Sequence, residues 1–77
     1  MRSRTVTALV TESQIAAPLG ELQSKHPDVD IGSYPFARDG RVGTSLVVRG
    51  TNISSLDSLQ VAIRDLVHEL GGELIDE

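Results

Sequence analysis

Arg38, Arg41 and Arg49, set near Tyr34 and Phe36, are the residues of this sequence best suited to hold a partner. The stretch from Asp30 to Arg49 contains three of the seven Lys+Arg side chains and both the single Tyr and the single Phe. A guanidinium presents its N–H donors in a fixed fork and forms charge-assisted hydrogen bonds to carboxylate or phosphate. Beside two aromatic rings, such a set suits an anionic ligand or a docking surface. The same residues also suit a solvent-exposed hairpin that its charges keep soluble.

Other chemistry is sparse. His26 and His68 have no cysteine or further histidine at metal-ligand spacing, so a transition-metal site is not expected. His26 precedes Pro27 and is read as a helix-end or solvated residue, and His68 as a solvated one. Asp28 and Asp30 point to one side of an extended segment, as a solubilising pair, and Glu73, Asp76 and Glu77 form an acidic end. Ser33 and Ser45 lack any His/Asp partnership and read as strand residues. Gly40 and Gly43 belong to a hairpin with no helix after it, which is the wrong context for a phosphate-binding loop. A phosphatase using Arg41 or Arg49 would need a nucleophile or base that the sequence does not supply.

These groups must be positioned by a small domain. A 77-residue chain suffices for one domain and one modest core, here assigned to residues 1–77. No cysteine is available to staple it. The formal net charge of −4 argues against nucleic acid, whose binding usually demands a basic surface. No apolar run approaches the roughly 20 residues of a membrane span. A cytoplasmic location, without nucleic acid or membrane as partner, is therefore expected.

Along the chain, Thr5 to Thr11 alternates as a first strand, with Val6, Ala8 and Val10 facing the core. Ile15, Leu19 and Leu22 mark one face of a helix ending at Lys25; Pro18 is expected in its first turn, so that the helix starts at Ala16 or Ala17. Val29 to Tyr34 is a second strand, and Pro35 places it at an edge or ends it. Asp39-Gly40 supplies a tight hairpin turn into the strongest strand, Val42 to Arg49. A second helix carries the stripe Leu56, Leu59, Ile63, Leu66 and Leu70, with Ser54 as its N-cap and a left-handed stop at Gly71-Gly72. Glu73 to Asp76 is a short last strand.

The order β-α-β-β-α-β, with right-handed crossovers, predicts a ferredoxin-like α+β sandwich. Its four-stranded antiparallel sheet would carry both helices on one face. The uncovered face would then hold Leu9, Tyr34, Val47 and Arg49 among Thr5, Thr7 and Ser45. A polar field with a small apolar centre suits docking of another domain or another copy. It suits RNA less well, since the two central strands bear no stacking aromatics.

The segment HPDVDIGSYPFARDGRVGTSLVVRGTN, followed by the leucine-striped helix and LGGE, resembles the C-terminal subdomain of the competence/damage-inducible protein A family. Those proteins contain a molybdopterin-binding-type domain, and similar modules occur in eukaryotic FAD synthases. The likeness runs from about Ile15 to Glu73, and IGSYPF with its downstream Gly-Thr and Arg-Gly pairs is its most specific part. It implies structural or docking roles for Gly32, Ser33, Tyr34, Pro35, Phe36, Arg41, Gly43 and Thr44, and it finds Ala37 where the family often has another aromatic. The family's Gly-rich and acidic nucleotide- or pterin-binding motifs belong to a larger domain outside this sequence. The resemblance therefore implies a non-catalytic accessory domain with no cofactor. Its expected partner is a molybdopterin-binding-type α/β domain or a second copy. The alternative is a regulatory module binding a nucleotide or pterin through Tyr34, Phe36, Arg38, Arg41 and Arg49.

Overall fold

A computed structural model describes residues 2–75. Its elements are β1 (Arg2–Ala8), α1 (Glu12–Lys25), β2 (Asp30–Arg38), β3 (Arg41–Gly50), α2 (Ile53–Glu69) and β4 (Leu74–Ile75). The strands form one antiparallel sheet in the order β2-β3-β1-β4. Val6 and Ala8 of β1 and Leu46 and Val48 of β3 share one core with Ile15 and Leu19 of α1 and Leu56, Leu59, Ile63 and Val67 of α2. Both helices thus cover the same sheet face, as expected for the ferredoxin-like sandwich. No helix among the described residues is long and apolar enough to cross a membrane.

The strand β1 starts at Arg2 and stops at Ala8, earlier at both ends than the alternation suggests. Val10 is nonetheless buried, and its carbonyl accepts a 2.9 Å hydrogen bond from Thr44 Oγ1, which ties the exit of β1 to β3. The next residue, Thr11, caps α1. Its Oγ1 accepts from the Gln14 N–H at 3.3 Å while Gln14 Oε1 accepts from the Thr11 N–H at 2.9 Å, a reciprocal capping box. With both donors satisfied, the helix begins at Glu12, not at Ala16 or Ala17, and Pro18 lies inside it. That proline forgoes a bond to the Gln14 carbonyl. The capping box and the burial of Ile15 and Leu19 on either side of Pro18 outweigh the loss.

At the other end of α1 the His26 N–H bonds the Leu22 and Gln23 carbonyls, and its Nδ1 lies 3.0 Å from the Leu22 carbonyl oxygen. The capping role expected of His26 is present. In α2 the cap is Asn52, whose side chain accepts from the Ser55 N–H at 3.2 Å, so the helix starts ahead of Ser54. Leu56, Leu59 and Ile63 are buried as expected, but the next fully buried position is Val67, four residues on, with Leu66 and Leu70 on the flank. The helix closes in a Schellman arrangement: the Gly72 N–H bonds Val67 O at 2.9 Å and the Gly71 N–H bonds His68 O at 3.0 Å, with Gly71 at φ +74°.

The hairpin between β2 and β3 turns through Asp39 (φ +51°) and Gly40 (φ +76°), the two left-handed residues of a type I′ turn. The edge strand β2 continues through Pro35 to Arg38, four residues past the expected end at Tyr34. In a two-residue hairpin the closing pair, Arg38 and Arg41, exchanges hydrogen bonds, and pairs alternate from there. Phe36, Tyr34 and Gly32 therefore bond β3, whereas Ala37, Pro35, Ser33 and Ile31 turn their backbone groups outward. Pro35 sits at an outward position, so its missing N–H removes nothing from the ladder. In β4 only Leu74 and Ile75 are strand; Glu73 precedes it, accepting the Leu9 N–H through its carbonyl at 2.7 Å, and Asp76 lies outside the described residues.

Candidate docking face on the open sheet

The face of the sheet turned away from the helices is assembled by period-two alternation. The register places Tyr34 opposite Ser45 and Thr7, Phe36 opposite Gly43, Gly32 opposite Val47 and Thr5, and Asp30 opposite Arg49 and Ser3. Arg38 and Arg41 extend the same side at the hairpin end. All five candidates, Tyr34, Phe36, Arg38, Arg41 and Arg49, thus stand on one face.

Both aromatic rings lie down over glycines. A Cβ at Gly43 would meet Phe36 Cζ at 2.5 Å and the Ala8 carbonyl oxygen at 2.7 Å, so Gly43 is the seat of the Phe36 ring. A Cβ at Gly32 would come within 3.1 Å of Tyr34 Cε2 and Oη, so that ring leans back over its own strand. These glycines are close-approach positions, as expected for glycine inside a strand. The Arg38 guanidinium carbon stands 4.8 Å from the Phe36 ring centroid, a cation–π stack that fixes one guanidinium against the face.

Around this stack Leu9, Phe36, Arg38, Arg41, Leu74 and Ile75 line a shallow cavity of about 400 Å³. Arg41 Nη1 is 4.0 Å from Glu73 Oε2, and both side chains are about two-thirds exposed (67% and 68%), so the pair contributes little. Arg49 is not part of this group. It lies six residues from Gly43 along β3, roughly 20 Å at the strand rise. Tyr34 also lies off the cavity, one bonded pair away from Phe36, and is half exposed. The structure therefore unites three of the five candidates and separates two.

Leu74 and Ile75 complete the cavity and were not among the candidates. Their only signal was short apolar length; what brings them here is the placement of β4 beside β1, with Thr7 opposite Ile75. Ser33, read as a plain strand residue, donates a 3.1 Å hydrogen bond to Glu12 Oε1 on α1. Among the described residues, no cluster of three or more His, Cys, Asp or Glu side chains could hold a metal ion.

The family model described as FAD synthase, middle domain matches residues 1–76. No curated protein and no solved structure matches the chain. The match corrects the resemblance to competence/damage-inducible protein A: the family is a different one, and neither the accessory role drawn from that resemblance nor the nucleotide- or pterin-binding alternative has support from it. The structure shows why the motif misled. IGSYPF and the glycine-threonine of β3 encode a ring seat, an edge proline and a buried Thr44, which are packing features of the hairpin and carry no ligand chemistry by which a family could be told. Matched over all but its last residue, the chain belongs to the family of FAD synthase middle domains.

Proposed function

We propose that the chain serves an FAD synthase as a non-catalytic middle module. In this role its open sheet face packs against a neighbouring module of the same protein. The observation that supports this reading is the family match over residues 1–76, to a model described as the middle domain of FAD synthase. The chemistry of the face agrees: two arginines, the carboxylates of Asp39 and Glu73, one seated ring and aliphatic side chains offer contact and charge without a nucleophile paired to a base. The ring seat at Gly43 makes the face preformed, which lowers the ordering cost of contact.

The test is FAD formation by the purified chain supplied with FMN, ATP and Mg²⁺, with FAD separated and read by fluorescence. No FAD above the enzyme-free control is expected. Turnover that disappears in Arg41→Ala would overturn the proposal, because it would place a catalytic group on the face assigned to packing.

A further inference from the structure

We propose that Gln23, Pro35 and Glu12 close the exposed edge of β2 against strand pairing with a second copy of this chain. An edge strand normally offers a row of outward N–H and C=O groups on which another chain can add. Here the outward positions are Ile31, Ser33, Pro35 and Ala37, fixed by counting back from the closing pair Arg38 and Arg41. The Ile31 N–H is already taken: it donates to Gln23 Oε1 at 3.0 Å, as an N–H directed away from β3 would, while the Ile31 side chain packs on the core. The same carboxamide donates through Nε2 to the carbonyls of Val29 and His26. One glutamine on α1 thus supplies an acceptor and a donor where a neighbouring strand would supply them.

Pro35 removes the donor two positions further on. The N–H groups left on this side, at Ser33 and Ala37, are four residues apart, roughly 13 Å. They bracket a proline and cannot start a continuous ladder. Glu12 reaches the same edge through its bond from Ser33 Oγ and adds a carboxylate there. Charge, proline and a covering side chain are the devices by which natural edges avoid pairing. The occupant they exclude is a second copy, because two β2 edges related by a two-fold axis present the same row to each other. This inference is independent of the packing role proposed for the open face, which lies on a different surface.

The test uses Pro35→Thr alone and combined with Gln23→Ala, followed by sedimentation equilibrium over a concentration series and by amide exchange. Pro35 is exposed, so Pro35→Thr leaves the core untouched and reports even where the double variant fails to fold. Self-association at least tenfold tighter than wild type is expected for Pro35→Thr and more for the folded double variant. The mass should move toward twice 8.3 kDa, with slower exchange at Ser33 and Ala37. A folded Pro35→Thr whose association and whose Ser33 and Ala37 exchange equal those of the wild type would overturn the proposal.

Discussion

Gly43→Ala probes the ring seat directly. The residue's φ is not in the left-handed region, so alanine meets no backbone strain, and any cost is steric. The new methyl would lie 2.7 Å from the Ala8 carbonyl oxygen and 2.5 and 2.9 Å from two atoms of the Phe36 ring. The ring can lift, since its outer side is solvent and the Arg38 stack. The carbonyl belongs to β1, paired in register to β3, and moves only with the sheet. Overpacking of this kind costs about 1–3 kcal/mol. Replacing glycine by alanine in a strand returns about 0.5–1 kcal/mol. With a backbone oxygen as well as a ring closer than 3 Å, the upper part of the overpacking range, about 1.5–3 kcal/mol, applies. The net loss is then about 0.5–2.5 kcal/mol, or a fall in Tm of roughly 2–20 °C for a domain this small.

Thermal and urea unfolding by circular dichroism would measure that loss. A double-mutant cycle with Phe36→Ala separates its two parts. On the Phe36→Ala background the Gly43→Ala penalty should shrink by at least about 0.5 kcal/mol, because the ring clash is gone, yet remain positive, because the Ala8 carbonyl stays. Gly43→Ala as stable as wild type, or an equal penalty on both backgrounds, would refute the ring-seat geometry.

Three further substitutions test the frame around the face. Thr11→Ala removes the capping box of α1 and should lower stability by about 1 kcal/mol by urea unfolding, with faster amide exchange in the first turn. Leu46→Ala, at a fully buried position of the central strand β3, should cost about 2–5 kcal/mol, a large share of the about 4–12 kcal/mol available to 77 residues. Asp57→Asn breaks the exposed 3.1 Å pair with Arg4 and should change stability by less than about 1 kcal/mol, an effect that vanishes in high salt.

Topology was legible because the periodic signals were strong and local: alternation in Val42 to Arg49, Asp39-Gly40 at the turn, and apolar steps of three and four in α2. The misses have local causes as well. Pro18 suggested a helix start because a proline usually occupies the first turn, but the Thr11–Gln14 exchange of hydrogen bonds lies upstream and sets the boundary. Pro35 suggested a strand end because the parity of its ladder position depends on the turn, and that parity makes the proline harmless. Val67 displaced Leu66 from the stripe because both lie three or four residues from Ile63, and only the packing angle selects between them.

The candidate face was legible in part. Alternation put Tyr34 and Arg49 on one side, and nearness in sequence added Phe36, Arg38 and Arg41, but neither carries information about distance along the sheet, so Arg49 was grouped with arginines roughly 26 Å away. The apolar lining from Leu74 and Ile75 depends on strand order, a relation between residues far apart in the chain. The family, too, needed more than the motif, since its most specific residues serve the hairpin.

β4 and the hairpin converge on one preformed face, with Phe36 seated on Gly43 and Leu9, Leu74 and Ile75 around it. Nuclear Overhauser spectra of the labelled chain test this most directly. Contacts from the Phe36 ring protons to the Gly43 Hα and to methyl groups of Leu9, Leu74 or Ile75 are predicted, with the Gly43 Hα moved upfield by the ring current. A Phe36 ring showing neither the Gly43 contact nor that shift would contradict the account.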